Sequence, residues 1–267
     1  MKPDKAGWSD KRHALVVGLR DPKTRMEVVE TIRSMGSAGV EFLPSLIKGL
    51  EDSTAKDKLL LARASAEAGF NETEGPLHPR EPADLTEAEF RRCVIITLGE
   101  IGSGTQKAIR VLITALEDPD ATVRTVAAGA LGRMGLAASV AIPALVRLLG
   151  DYRPFVREIA ARALSRIDPT NLSIVLPLTE PLKDDSPGVR VSAAEALGST
   201  RPTEDTAAML AGVLQDASPG VRIAAARSLA KFGLAARPAV PALRKALESR
   251  YDAVRKAVSA ALDRIGV

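Results

Sequence analysis

Seven arginines recur in one register along the chain. Arg25, Arg91, Arg124, Arg157, Arg190, Arg222 and Arg255 are separated by 66, 33, 33, 33, 32 and 33 residues, and from Arg124 onward each follows a valine (Val123, Val156, Val189, Val221, Val254). So regular a period excludes a single globular core. It requires an array of small units, each burying its apolar face on the next.

The residues round each arginine define one unit. Asp118 to Gly135 reads DPDATVRTVAAGALGRMG, Asp184 to Gly198 reads DDSPGVRVSAAEALG and Asp216 to Gly233 reads DASPGVRIAAARSLAKFG. Val123, Val126, Ala127, Ala130, Leu131 and Met134 keep the spacing of an amphipathic helix, which Gly135 stops. Ser186-Pro187 and Ser218-Pro219 set a capping hydroxyl before a proline, whose missing N–H costs nothing at the first helical position. After a short link, IPALVRLL (142–149), VPALRKAL (240–247) and FLPSLIKGL (42–50) predict a second helix, with Pro143, Pro241 and Pro44 in its first turn. Two antiparallel helices per unit cannot bury their apolar faces alone, so the units must stack into an all-α solenoid.

Composition agrees with thin, closely packed helices. Hydrophobic residues make up 46% of the chain but aromatics only 3%, so the apolar supply is mostly Ala, Leu, Val and Ile, better suited to helix stacking than to a deep ligand pocket. The nearly apolar run Gly135 to Val146 is short of the ~20 residues that span a bilayer, and MKPDKAGWSDKRH lacks the apolar core of a secretory signal. A soluble, cytoplasmic protein with no membrane association is expected, and the Ala- and Arg-rich composition points to a GC-rich bacterial source. The single Cys93 is expected to be a buried structural thiol on a first helix. The net charge of +4 is uneven: Ser53 to Glu89 carries four basic and eight acidic residues, leaving +8 elsewhere. Part of that excess is structural, since Arg133, Arg166, Lys231 and Arg264 fall near the C-terminal end of the first helix, where the helix dipole favours a cation.

The pattern D(x5)R, then AAxAL, then xPAL resembles HEAT repeats, in particular the short HEAT-like class of phycobilin lyase subunits, over roughly Lys11 to Gly266. The resemblance implies a right-handed α-solenoid of about seven to eight helix pairs, one degenerate, in a single domain over residues 1–267. In that family Asp and Arg form a ladder of bridges between successive units. By motif this carries over to Asp118 with Arg124, Asp151 with Arg157, Asp184 with Arg190 and Asp216 with Arg222. Ser249 stands where the last Asp belongs, so the ladder is expected to weaken before Arg255.

The interval between Arg25 and Arg91 is two periods long, which predicts a full unit between them. Asp52 and Lys58 occupy the Asp and Arg positions, and Asp57 to Gly69 (DKLLLARASAEAG) reads as a degenerate first helix. Its second helix fails: Phe70 to Ala83 (FNETEGPLHPREPA) holds three prolines and a glycine. An acidic, proline-rich loop over 70–86 is expected there, long enough to serve a partner, with the next helix restarting at a Thr86/Glu89 capping box.

Chemistry-bearing constellations are sparse. His13 and His78 have no second metal ligand at helical spacing, so neither a metal nor another cofactor is expected. HEAT-like hydroxylases use repeated His-Glu pairs that this chain lacks. GEIGSG (99–104) reads as a helix end and turn, not a phosphate loop, and no Ser, His and Asp constellation follows from the spacing. The chain therefore reads as a noncatalytic scaffold or adaptor that binds another protein. Lys48, Arg147, Glu180, Arg244 and Lys245 on the second helices are candidate groove contacts, and Glu74, Arg80 and Glu81 candidate loop contacts. The alternative is a charge-driven binder of nucleic-acid phosphates, although the aromatics needed for base stacking are not interleaved with the cations. A phycobilin lyase-like role is the remaining reading, with nothing marking a tetrapyrrole site. Lys11 to Leu19 and Ala253 to Gly266 read as half units at the two ends, serving as caps, as breaks from a longer array or as self-pairing surfaces.

Overall fold

The computed structural model describes residues 5–67, 85–102 and 105–267. The chain divides into two compact units, Met1–Met134 and Gly135–Val267. Among the described residues every regular element is an α-helix or a 3₁₀ helix, as the repeat pattern demands.

In the first unit, α1 (Lys5–Gly18) and α2 (Arg25–Ser34) lead through a 3₁₀ stretch (Gly36–Phe42) to the long α3 (Leu43–Glu67). Then come α4 (Leu85–Ile101), α5 (Gln106–Ala115) and α6 (Ala121–Met134). α4 packs on α2 on one side and on α6 on the other, forming a layer of first helices, with α3 and α5 also against α4. Ile32, Phe42, Leu46, Phe90, Leu98, Ile109 and Leu131 are fully buried between them.

The 66-residue interval is built differently from the expectation. Leu43–Glu67 is one unbroken helix, so Asp57 opens no new first helix. The reason is local: from Gly49 to Gly69 no glycine or proline interrupts the helical sequence. Asp52, within α3, accepts from Lys48 one turn earlier at 2.6 Å instead of facing a rung arginine. α2 packs directly on α4, with no further first helix interposed among the described residues. Residues 70–84 of the expected loop lie outside the described residues. Leu85 and Thr86 already belong to α4, and the Thr86 side chain of the expected capping box lies outside the described residues.

In the second unit a 3₁₀ stretch (Gly135–Ala141) precedes α7 (Ile142–Leu148) and α8 (Pro154–Ile167). Three 3₁₀ turns (Leu172–Ile174, Leu176–Leu178, Glu180–Lys183) replace the next second helix. Pro177 and Pro181 explain this, because each removes an N–H that an α-helix needs in its interior. α9 (Pro187–Leu197), α10 (Glu204–Gly212), α11 (Pro219–Phe232), α12 (Val240–Ala246) and α13 (Asp252–Ile265) complete the unit. α8, α9, α11 and α13 pack in that order as the first-helix layer.

Local signals behave as read. Gly135 and Gly233 end the first helices at φ of +58° and +53°, values that favour glycine. Pro187 and Pro219 stand at helix starts, as do Pro143 and Pro241. One detail differs: the Ser186 and Ser218 hydroxyls make no capping bond, and the backbone N–H groups of these serines instead donate to Asp184 and Asp216, at 2.9 and 2.7 Å. The helical run Ala121–Leu148 has the length and composition of a membrane span, but the positive φ of Gly135 breaks it.

Candidate functional site

Three of the register arginines reach forward to the aspartate of the following repeat. Arg91, fully buried, donates through Nε and Nη2 to the Asp118 carboxylate at 2.8 and 2.9 Å. Arg157 grips Asp184 the same way at 2.6 and 2.7 Å, and Arg190 grips Asp216 at 2.8 and 2.9 Å. These are parallel two-point bonds, the geometry a planar guanidinium is shaped for.

The aspartate of an arginine's own repeat contributes its backbone instead. Nη1 of Arg124, Arg157 and Arg190 donates to the carbonyls of Asp118, Asp151 and Asp184, at 2.8, 2.7 and 2.6 Å. The within-repeat pairings Asp118 with Arg124, Asp151 with Arg157 and Asp184 with Arg190 are thus carbonyl contacts, while the carboxylates of Asp118 and Asp184 bind the arginine one repeat earlier. Each aspartate also ties down its own turn, as Asp118 does by accepting from the Asp120 N–H at 2.8 Å. Burial opposes ionisation of Asp184 and Asp216. The arginine hydrogen bonds and the serine N–H groups outweigh it and hold both carboxyls below the usual range. The hydrogen bonds that Arg157 and Arg190 donate to these carboxylates raise their own pKa in turn.

Arg25 and Arg222 make no such rung, and both lie on aromatic rings. Arg25 has no rung aspartate, because Asp52 is inside α3. It pairs with Glu87 of α4 at 3.0 Å and lies over Phe90 at 4.4 Å, with Ser53 donating to the same Glu87 oxygen at 2.6 Å. This cluster borders an open cleft of about 490 Å³ that also touches Lys48 and Asp52.

Arg222 is the second exception. Ser249 replaces the aspartate it would reach, and no side-chain hydrogen bond or ion pair joins Arg222 to Asp216 or to any other described residue; its backbone N–H donates to Ser218 O at 3.3 Å. Its Nε is buried without a partner, and the guanidinium lies over the Tyr251 ring at 5.1 Å. Arg250 shares that ring at 4.8 Å and donates to its hydroxyl at 2.7 Å. A cleft of about 500 Å³ opens here, lined by Arg222, Lys245, Glu248, Ser249, Arg250 and Tyr251 among others. The expected weakening of the ladder therefore falls on Arg222. Arg255 keeps its carbonyl bond, Nη1 to Ser249 O at 2.8 Å, which needs no aspartate side chain.

The remaining predicted contacts are scattered by comparison. Lys48 is exposed and paired with Asp52 in the first unit. In the second unit Arg147 lies in the last turn of α7, and Arg244 and Lys245 in the last turn of α12, all exposed. Glu180, expected on a second helix, opens a 3₁₀ turn and sits 3.5 Å from Lys183. Of these four, Lys245 lines the cleft at Arg222. Glu74, Arg80 and Glu81 lie outside the described residues. Cys93 is half-buried, less than expected, and burial pushes its thiol pKa up.

A family model for HEAT repeats matches residues 83–165 and 175–263. No curated protein matches the chain. Among solved structures, an engineered protein is 26% identical with a TM-score of 0.50, covering 67% of this chain and 91% of its own. The CpcE–CpcF complex of phycocyanin lyase from Nostoc sp. PCC7120 is 27% identical with a TM-score of 0.48, over 58% of this chain and 98% of that one. Kap121p bound to Pho4p is 15% identical with a TM-score of 0.61, and the match covers 98% of this chain but 30% of that one.

Proposed function

Because the chain belongs to the HEAT repeat family, we propose that it is a noncatalytic, cytoplasmic scaffold or adaptor that binds another protein across its solenoid surface. The observation that carries this reading is a set of aliphatic side chains left in water in the second unit, on connections that follow first helices. Leu136, Val140, Leu172, Leu176 and Leu234 are exposed there, Leu176 by 74% and Leu136 by 67%. Each forgoes roughly 25 cal/mol per Å² that burial would return, and exposed apolar groups of this kind mark surfaces that meet other proteins. A phosphate backbone offers them nothing. Arg147, Glu180, Arg244 and Lys245 add charge of both signs on the second-helix side, suited to orienting a protein partner. Kap121p bound to Pho4p is consistent with such use of the fold, although a shared fold does not by itself carry function.

The test is capture from a lysate of the source organism, treated with nuclease, using the wild type, L136E/L176E/L234E and R147E/K245E. The proposal expects one protein to survive nuclease treatment and to be lost with the leucine variant, whose helical melting curve stays intact. Recovery that vanishes with nuclease and falls steeply with salt would favour phosphate binding instead. A variant lacking residues 71–83 asks separately whether the segment holding Glu74, Arg80 and Glu81 contributes.

A further inference from the structure

The ladder supplies an internal measure of what Arg222 is shaped to hold. At Arg157 and Arg190, in the same layer of the same unit, the guanidinium edge is filled by a carboxylate at 2.6 to 2.9 Å through two parallel bonds. At Arg222 the next repeat offers the short hydroxyl side chain of Ser249, and Nε is left buried without an acceptor.

The surroundings of that edge are electropositive. Arg222 and Arg250 lie over one tyrosine ring, and Lys245 lines the same cleft. Ion pairs within 4.0 Å are formed by none of these three cations among the described residues. Two acids border the cleft: Asp216 is consumed by Arg190, and Glu248 pairs with none of the three cations. A buried guanidinium N–H without an acceptor is costly, and an incoming anion would remove that cost.

We infer that the open rung at Arg222 is a carboxylate-binding site, in which a carboxylate from outside the chain takes the place that Asp184 and Asp216 take at the closed rungs. Arg222 provides the two-point grip, Arg250 and Lys245 the flanking charge, and Tyr251 the wall that holds the guanidinium. The cleft has room for more than the carboxylate itself, so either a free small acid or an acidic peptide side chain fits. At Arg25, whose Nε is also without an acceptor, the chain supplies its own carboxylate to Nη1, from Glu87, whereas Arg222 has none.

The experiment follows the Arg222 Nε–H resonance by ¹⁵N NMR while N-acetylaspartate is titrated into the full chain at constant ionic strength, with inorganic phosphate as a second titrant. A free acid is distinguished from a peptide side chain by repeating the titration with a short peptide bearing one internal aspartate. The wild type is expected to show saturable shifts with N-acetylaspartate or with the peptide, at least tenfold weaker by global amide shifts in R222Q. S249D, which fills the rung from within, should lose binding by a similar factor while melting higher than the wild type. Because the Arg222 side chain holds no hydrogen bond in the fold, R222Q should remain folded, and its melting curve checks this. Equal binding by S249D and the wild type would overturn the assignment. So would binding of phosphate alone, or no saturable shift with any titrant.

Discussion

Arg190 and Arg222 occupy the same position in neighbouring repeats of one unit, yet one is locked and the other open. Arg190 holds Asp216 by two bonds and the Asp184 carbonyl by a third. Arg222 holds no carboxylate and rests on Tyr251. The difference comes from one residue in the following repeat, Ser249 where Asp216 has its counterpart. A repeat array can thus convert a structural position into a binding position by altering the neighbour, with the arginine itself unchanged.

The most severe way to break the closed rungs is at Arg91. Its guanidinium and Asp118 are both buried, so Arg91→Met leaves a carboxylate without its counterion and should cost about 3–5 kcal/mol in denaturant unfolding. A loss below about 1 kcal/mol would mean that the buried rung is not held by charge pairing.

The layer that carries the rungs can be tested next. Gly198 lets α9 approach α11, because a Cβ there would lie 2.8 Å from the Ser228 Cα. Gly198→Ala should therefore cost about 1–3 kcal/mol through overpacking, and pairing it with Ser228→Gly should recover part of the loss. Full stability in Gly198→Ala would contradict the close packing of first helices.

Arg190→Met and Arg222→Met set the closed and open rungs side by side. The first removes charged hydrogen bonds to Asp216 and should cost about 1.5–3 kcal/mol; the second should stay within about 0.5 kcal/mol of wild type. Equal losses would erase the distinction.

Acid sharpens the same comparison with a smaller effect. Asp184 and Asp216 titrate below their ordinary value when folded, so the stability they contribute is fully present above the unfolded carboxylate pKa of about 3.9 and is lost as pH falls through the lowered folded values. Thermal melting below about pH 4 should fall less steeply in Asp216→Asn than in the wild type, because one titrating rung is gone. Arg222→Met should keep the wild-type slope.

Much of this was legible in the chain. The arginine period required stacked units, Gly135 and Gly233 marked helix ends, and the prolines at 143, 187, 219 and 241 marked starts. The ladder's direction was not legible from motif proximity. Asp and Arg of one motif stand six residues apart, but that aspartate turns its carbonyl to the arginine and its carboxylate to the repeat before. The 26- and 27-residue spacings from Arg190 to Asp216 and from Arg157 to Asp184 carry the signal instead. Periodicity also misled at Asp52 and Lys58, where the register fits but no residue ends the helix. Alignment of second helices singled out Lys245, whereas Tyr251 gained meaning only once Ser249 was seen to free Arg222.

Arg91, Arg157 and Arg190 each bond the carboxylate of the next repeat, and the forward direction of the ladder rests on these bonds. A pair of double-mutant cycles measures this directly: Arg190→Met with Asp216→Asn, and Arg190→Met with Asp184→Asn, each read by urea unfolding. A coupling of at least 1 kcal/mol with Asp216 and below about 0.5 kcal/mol with Asp184 is predicted. Equal couplings, or a larger one with Asp184, would contradict the forward ladder and with it the open rung at Arg222.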